Sequence, residues 1–153
     1  MAESPLHGRL FAFESDFAGD LRCIPMAVRR KLDLCGRKLR LQTLLGWSEE
    51  RRRLLLQWPE DPPALTGLSE ALADETTPLP PARGEPWQGA WSVPAVVATA
   101  TAELGVPVGD ADWAGLDELQ RFALLKLSLP GHGRSNLVRA LAEFGLGNQG
   151  AIR

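Results

Sequence analysis

The chain is poor in the residues that carry metal and redox chemistry, with two cysteines and two histidines among 153 residues. Two cysteines make no disulfide framework and cannot ligate an iron–sulfur cluster within one chain. On one continuous helix Cys23 and Cys35 would lie about 18 Å apart and roughly 120° out of phase, which forbids a bridge. Pro25 opens a helix between them, so Cys23 precedes it and is free to fold back. Both are expected to be reduced, buried thiols that pack as small hydrophobes. His7 lies in a loose terminus and His132 stands alone, too little for a histidine-rich metal site. No apolar run approaches the ~18–20 residues of a membrane span. The opening Met-Ala-Glu-Ser-Pro-Leu-His has no basic stretch followed by an apolar one, so the cytoplasm is the expected compartment. Also absent are a Gly-rich phosphate loop, a G-x-G-x-x-G fingerprint, a G-x-S-x-G elbow and an H-E-x-x-H pair. No nucleophile, base and orienting group assemble into a trio. Nucleic acid is not an expected partner, since a pI near 5.7 is far below the ~9 typical of such domains.

What is present is an ordinary globular composition, 44% hydrophobic and 24% charged, in a length that buries a genuine core. Residues 11–146 read as one helical domain between loose ends at 1–10 and 147–153. Charge is unevenly spread: through Arg53 there are 11 Lys/Arg against 7 Asp/Glu, or +4, and from Leu54 onward 6 against 12, or −6. Such polarity suits a steered partner or an anionic ligand at the N-terminal third.

The densest stretch is 13–41. Pro25 suits a first helical turn and Gly36 the left-handed position after the last one. Between them Val28, Leu32 and Cys35 fall on one apolar stripe at about 100° per residue. Arg29 and Asp33 share a neighbouring face, Arg30 points away and Lys31 flanks the stripe, giving an apolar seam with a basic back. Ahead of it Phe11, Phe13 and Phe17 form an apolar lead-in, and Asp20 caps a short turn. Behind it Lys38-Leu39-Arg40-Leu41 alternates as a short extended segment would.

Further on, Ser48 caps a helix ending before Pro59, with Leu54 and Leu55 on its buried face and Trp47 and Trp58 as anchors. Asp61-Pro62-Pro63 opens another helix carrying Leu65, Leu68 and Leu72. Residues 76–89, with four prolines and two glycines, form a connector pinned by Trp87 and Trp91. Ser92 caps a helix with Val93, Val96, Val97, Ala100 and Leu104 inside, closed by Gly105. Trp113 and Leu116 sit on a short turn opened by Asp110 or Asp112. Asp117-Glu118-Leu119-Gln120 has the form of a capping box before an enclosed helix through Leu127. Ser135 caps the last helix, with Leu137, Val138, Leu141 and Phe144 inside and Gly145 at its end. The expected fold class is all-α, a compact bundle of five or six short helices with a Pro-rich crossing loop. The turn Gly131-His132-Gly133-Arg134-Ser135 before a helix is a candidate anion site at His132, Arg134 and Ser135, because helix N-termini present free N–H groups.

Phe13-Glu14-x-Asp16-Phe17, Leu21-Arg22-Cys23-Ile24-Pro25-Met26, Val28-Arg29-x-Lys31-Leu32-Asp33-x-Cys35-Gly36 and Lys38-Leu39 together resemble the nitrate reductase-associated protein family. Trp113-x-x-Leu116, Gln120-Arg121-Phe122-Ala123-Leu124-x-Lys126-Leu127 and His132 resemble its second block. The resemblance implies an accessory factor for assimilatory nitrate reductase, acting in maturation, cofactor loading or donor coupling, and not the reductase itself. Its partner would be a nitrate reductase or its maturation machinery. It carries over no catalytic residue, and neither a cofactor of the chain's own nor a membrane is expected. Contact with the partner is assigned to Arg22, Arg29, Arg30, Lys31 and Asp33, since charge in the matching block is hard to explain by core packing. The alternative is a carrier binding an anionic small ligand or cofactor at the basic N-terminal third, with Cys23 or Cys35 nearby. A cysteine enzyme ranks last.

Overall fold

A computed structural model describes residues 8–14, 23–89, 92–131 and 134–146. The expectations placed on Phe17, Asp20 and Trp91 lie outside the described residues. The chain divides into two compact units, Met1–Arg83 and Gly84–Arg153. Among the described residues both are helical, apart from one two-stranded pairing in the first.

In the first unit a 3₁₀ turn, Ala12–Glu14, precedes α1 (Met26–Cys35), β1 (Arg37–Lys38), α2 (Leu41–Leu45), α3 (Glu49–Gln57), α4 (Pro62–Ala71) and β2 (Thr77–Pro78). Helix starts follow local chemistry. Ser48 accepts the Arg51 N–H at 3.1 Å and Asp61 accepts that of Ala64 at 3.3 Å, each satisfying a donor without an intrahelical acceptor. α1 packs against α3, α4 and β1, and Val28, Leu32, Leu55, Leu68 and Leu72 are buried around it. Leu54 departs from expectation: it is 59% exposed, while Leu55 and Leu56 are buried. α3 is rotated by one residue because its last-turn carbonyls face α1 and are held there, as described below.

The Pro-rich stretch is more than a connector. β2 pairs antiparallel with β1, Arg37 opposite Pro78 and Lys38 opposite Thr77. Leu79 then donates to the Gly36 carbonyl at 2.9 Å and Ala82 to that of Asp33 at 2.9 Å. These bonds tie residues 77–82 to the C-terminal end of α1 and require a close approach at Gly36, whose φ is +79°. A Cβ there would sit 2.7 Å from the Leu79 carbonyl oxygen. Gly36→Ala is therefore expected to destabilise by about 2 kcal/mol, combining left-handed strain with the clash. Urea unfolding checks this; a loss below ~0.5 kcal/mol would contradict the tight approach.

The second unit contains a 3₁₀ turn, Pro86–Gln88, then α5 (Ala95–Glu103), α6 (Asp110–Ala114), α7 (Glu118–Ser128) and α8 (Arg134–Glu143). The capping box is present: Asp117 Oδ1 accepts the Gln120 N–H at 2.8 Å and Gln120 Oε1 that of Asp117 at 3.0 Å. α7 contacts α5, α8 and the 3₁₀ turn, and Leu119, Phe122, Ala123 and Leu124 are fully enclosed. Trp87 is buried edge-on to Phe122, ring centres 5.0 Å apart at 88°, and pins the end of the Pro-rich stretch. Arg121 fastens the same region, donating to the carbonyls of Trp87 and Leu116.

Other boundaries shift. Ser92 caps nothing: α5 starts at Ala95 after Pro94, which is extended at φ −64°, ψ 146°, and the residue before a proline is itself pushed out of the helical region. Ser135 lies inside α8, one residue past its start. Val138 is 47% exposed while Ala140 is fully buried, so the inner stripe of α8 runs through the smaller side chain. The described residues contain eight α-helices. The two beyond the expected number, α2 and α6, are five residues each, too short for a periodic signal.

Candidate functional site

The described charged residues of the 13–38 block occupy the interior and rim of the first unit, and most of them fasten it. Glu14 is 1% exposed. Its Oε1 accepts the Phe11 N–H at 3.0 Å and its Oε2 that of Met26 at 2.6 Å. Pro25, the residue before α1, makes no side-chain cap, so a carboxylate from twelve residues earlier caps the helix, favoured by the positive end of its dipole.

Lys31 is the mirror case. Its side chain is fully buried and Nζ donates to the carbonyls of Leu55 at 2.7 Å and Leu56 at 2.5 Å. Those oxygens belong to the last turn of α3, where the outward-facing carbonyls and the negative dipole end welcome a cation. Burial lowers the Lys31 amine from 10.5 to about 8; Glu60 and Cys35 push it up and Arg30 pushes it down. Arg30 Nη1 donates to both carboxylate oxygens of Glu60, at 2.9 and 3.0 Å, with side chains only 7% and 15% exposed.

The expected basic back of α1 is therefore corrected. Arg30 and Lys31 point inward because α1 is flanked by α3 on one side and α4 on another, which leaves little of its circumference in solvent. Of the five residues assigned to a partner surface, Arg29 is exposed, donating through Nε to the Ile24 carbonyl at 3.0 Å, and Asp33 is half-buried. Arg22 lies outside the described residues.

Cys35 is buried and its thiol contacts the Leu32 carbonyl at 3.6 Å. Burial pushes the thiol up from 9.0 to about 11, with Asp33 adding to the rise and Arg37 opposing it. At neutral pH it is protonated and a poor nucleophile. Cys35 is expected to react with iodoacetamide only on unfolding, unlike half-buried Cys23; labelling of Cys35 itself in the folded chain at pH 7, located by peptide mapping, would contradict this.

In the second unit, His132 of the candidate anion turn lies outside the described residues and Ser135 is exposed. Arg134 is turned back onto its own unit. Its Nη1 faces the carbonyls of Leu127 at 3.5 Å and Ser128 at 3.4 Å, and its Nη2 stands 3.8 Å from the Glu103 carboxylate. An anion beside Arg134 would therefore meet the Glu103 carboxylate as well. Among the described residues no three His, Cys, Asp or Glu side chains group as a metal site, and no helix is long and apolar enough to cross a membrane.

The sequence profile of the conserved nitrate reductase-associated protein family matches residues 10–144. The chain belongs to that family. The match takes in the Glu14, Arg30 and Lys31 contacts of the first unit and α5 through α8 of the second. No curated protein and no solved structure is significantly similar to it. The family's name carries an association with nitrate reductase.

Proposed function

We propose that the chain is a non-catalytic accessory of nitrate reductase that works by binding protein. Membership of the nitrate reductase-associated family is the observation that carries this reading. The local chemistry agrees with it. Glu14, Arg30 and Lys31, the most buried charges among the described residues of the matched N-terminal block, are committed to helix ends and an ion pair, and the buried thiol of Cys35 is held protonated. Contact with the reductase then falls to charges of the same block that remain at the surface, Arg29 and Lys38 among them.

Two measurements test this. Deleting the gene is expected to lower nitrate reductase activity in cells grown on nitrate, with plasmid-borne wild type restoring it. The purified chain is expected to bind separately purified reductase from the same organism. Unchanged activity in the deletion strain would overturn the proposal, and so would turnover of a substrate by the isolated chain.

A further inference from the structure

Among the described residues of the first unit, the segment leaving β1 carries two of the four exposed large hydrophobic side chains, Leu41 and Leu45, beside two exposed basic ones. Leu39 and Leu44 are 6% and 2% exposed and anchor it from beneath. Lys38 and Arg40, on either side of Leu39, are exposed, and neither has a carboxylate partner among the described residues. This sets them apart from Arg30, Arg51 and Arg53, which pair with Glu60, Glu75 and Glu49, and from Arg37, which is bonded to Ser69 Oγ at 3.0 Å. Directly after Arg40, α2 turns Leu41 and Leu45 outward at 42% and 41% exposure. At i,i+4 they stand on one helix face with Cβ atoms about 6 Å apart. Buried Leu44 fixes the helix so that these two leucines cannot turn inward.

We infer that Lys38, Arg40, Leu41 and Leu45 form the docking surface for nitrate reductase, and that the reductase meets it with carboxylates beside apolar side chains. The inference rests on the proposed association. The two free cations state the charge the partner must bring, and the leucine pair states the apolar contact that burial would complete. A lipid surface fits less well, because helices that lie in membranes present a long apolar face and α2 offers two leucines on five residues.

Binding of the full-length chain to purified reductase, followed by biolayer interferometry at low and moderate salt, tests the assignment. Leu41→Ser with Leu45→Ser, and separately Lys38→Glu with Arg40→Glu, are each expected to weaken binding about tenfold or more. Circular dichroism and the unfolding midpoint should stay at wild-type values, since all four side chains are outside the core. Leu54→Ser, a change at a still more exposed leucine elsewhere in the unit, should leave affinity within about twofold. Wild-type affinity should fall several-fold as salt rises from about 0.05 to 0.3 M. Wild-type binding that neither double variant disturbs would overturn this surface and leave the association intact. A loss confined to one of the two pairs would overturn the mixed charge-and-apolar character. No binding by the wild type removes both the association and the assignment. Sedimentation of the wild type with phosphatidylserine vesicles, abolished by the same variants, would reassign the surface to lipid and overturn the inference.

Discussion

Replacing Glu14 by alanine is expected to cost about 4 kcal/mol, a large part of the stability of a chain this size. The carboxylate is 1% exposed and receives two backbone N–H groups, from Phe11 and Met26. Alanine leaves both donors buried without an acceptor, and each such orphan costs about 1–3 kcal/mol. Two elements should loosen together: the first turn of α1, and the Phe11–Phe13 stack, whose rings lie 5.4 Å apart. Glu14→Gln keeps one acceptor oxygen and turns an NH₂ toward the other donor, so about half the loss is expected. Urea unfolding followed by far-UV circular dichroism separates the cases. An alanine variant within ~1 kcal/mol of wild type would mean that Glu14 does not cap α1.

Glu14 also marks where sequence reasoning stops. Ser48, Asp61, Asp117 and Gly36 were legible, because a cap or a left-handed turn is decided by residues within four positions of it. The enclosed helix around Phe122 was legible because its apolar residues run all round. What was not legible is the direction each helix turns its sides. Leu54 and Val138 fit an apolar stripe as well as their neighbours do, and only packing partners rejected them. The fasteners join residues far apart in the chain: Glu14 to Met26, Arg30 to Glu60, Lys31 to Leu55 and Leu56, β1 to β2. Composition cannot show such pairs. One signal did exist. Lys31 is three residues after Val28 and four before Cys35, which puts it at the very edge of the apolar stripe, and a lysine drawn under a neighbouring helix there needs an acceptor inside. The candidate site suffered most, since a basic residue beside an apolar stripe reads as solvated until the neighbouring helices are in place.

Lys31→Ala is expected to destabilise by about 3 kcal/mol at neutral pH, through the cavity left by a fully buried stem and the loss of its charge-assisted bonds to the Leu55 and Leu56 carbonyls, of which Leu55 keeps the Trp58 N–H. Lys31→Met retains the stem and removes a desolvated charge, so it should lie much closer to wild type. The fingerprint that distinguishes a buried amine from mere packing is alkaline. The amine is brought from 10.5 down to about 8, chiefly by burial. A folded value below the unfolded one means that the folded chain releases its proton first, so stability rises with pH from about 8 to 10.5. Cys35, raised from 9.0 to about 11, acts oppositely: the unfolded thiol ionises first and stability falls across that window. The wild type should therefore gain about 1 kcal/mol between pH 8 and 9 and then level off where the two oppose each other. Cys35→Ala should carry the gain on to about pH 10.5, whereas Lys31→Met should show no gain and decline above pH 9. Few other groups interfere there, since the chain has no tyrosine and its other lysines are Lys38 and Lys126. Urea midpoints from pH 7 to 11 read the difference directly. A wild type that loses stability steadily from pH 8, in step with Lys31→Met, would place the Lys31 amine in solvent and remove the clamp between α1 and α3.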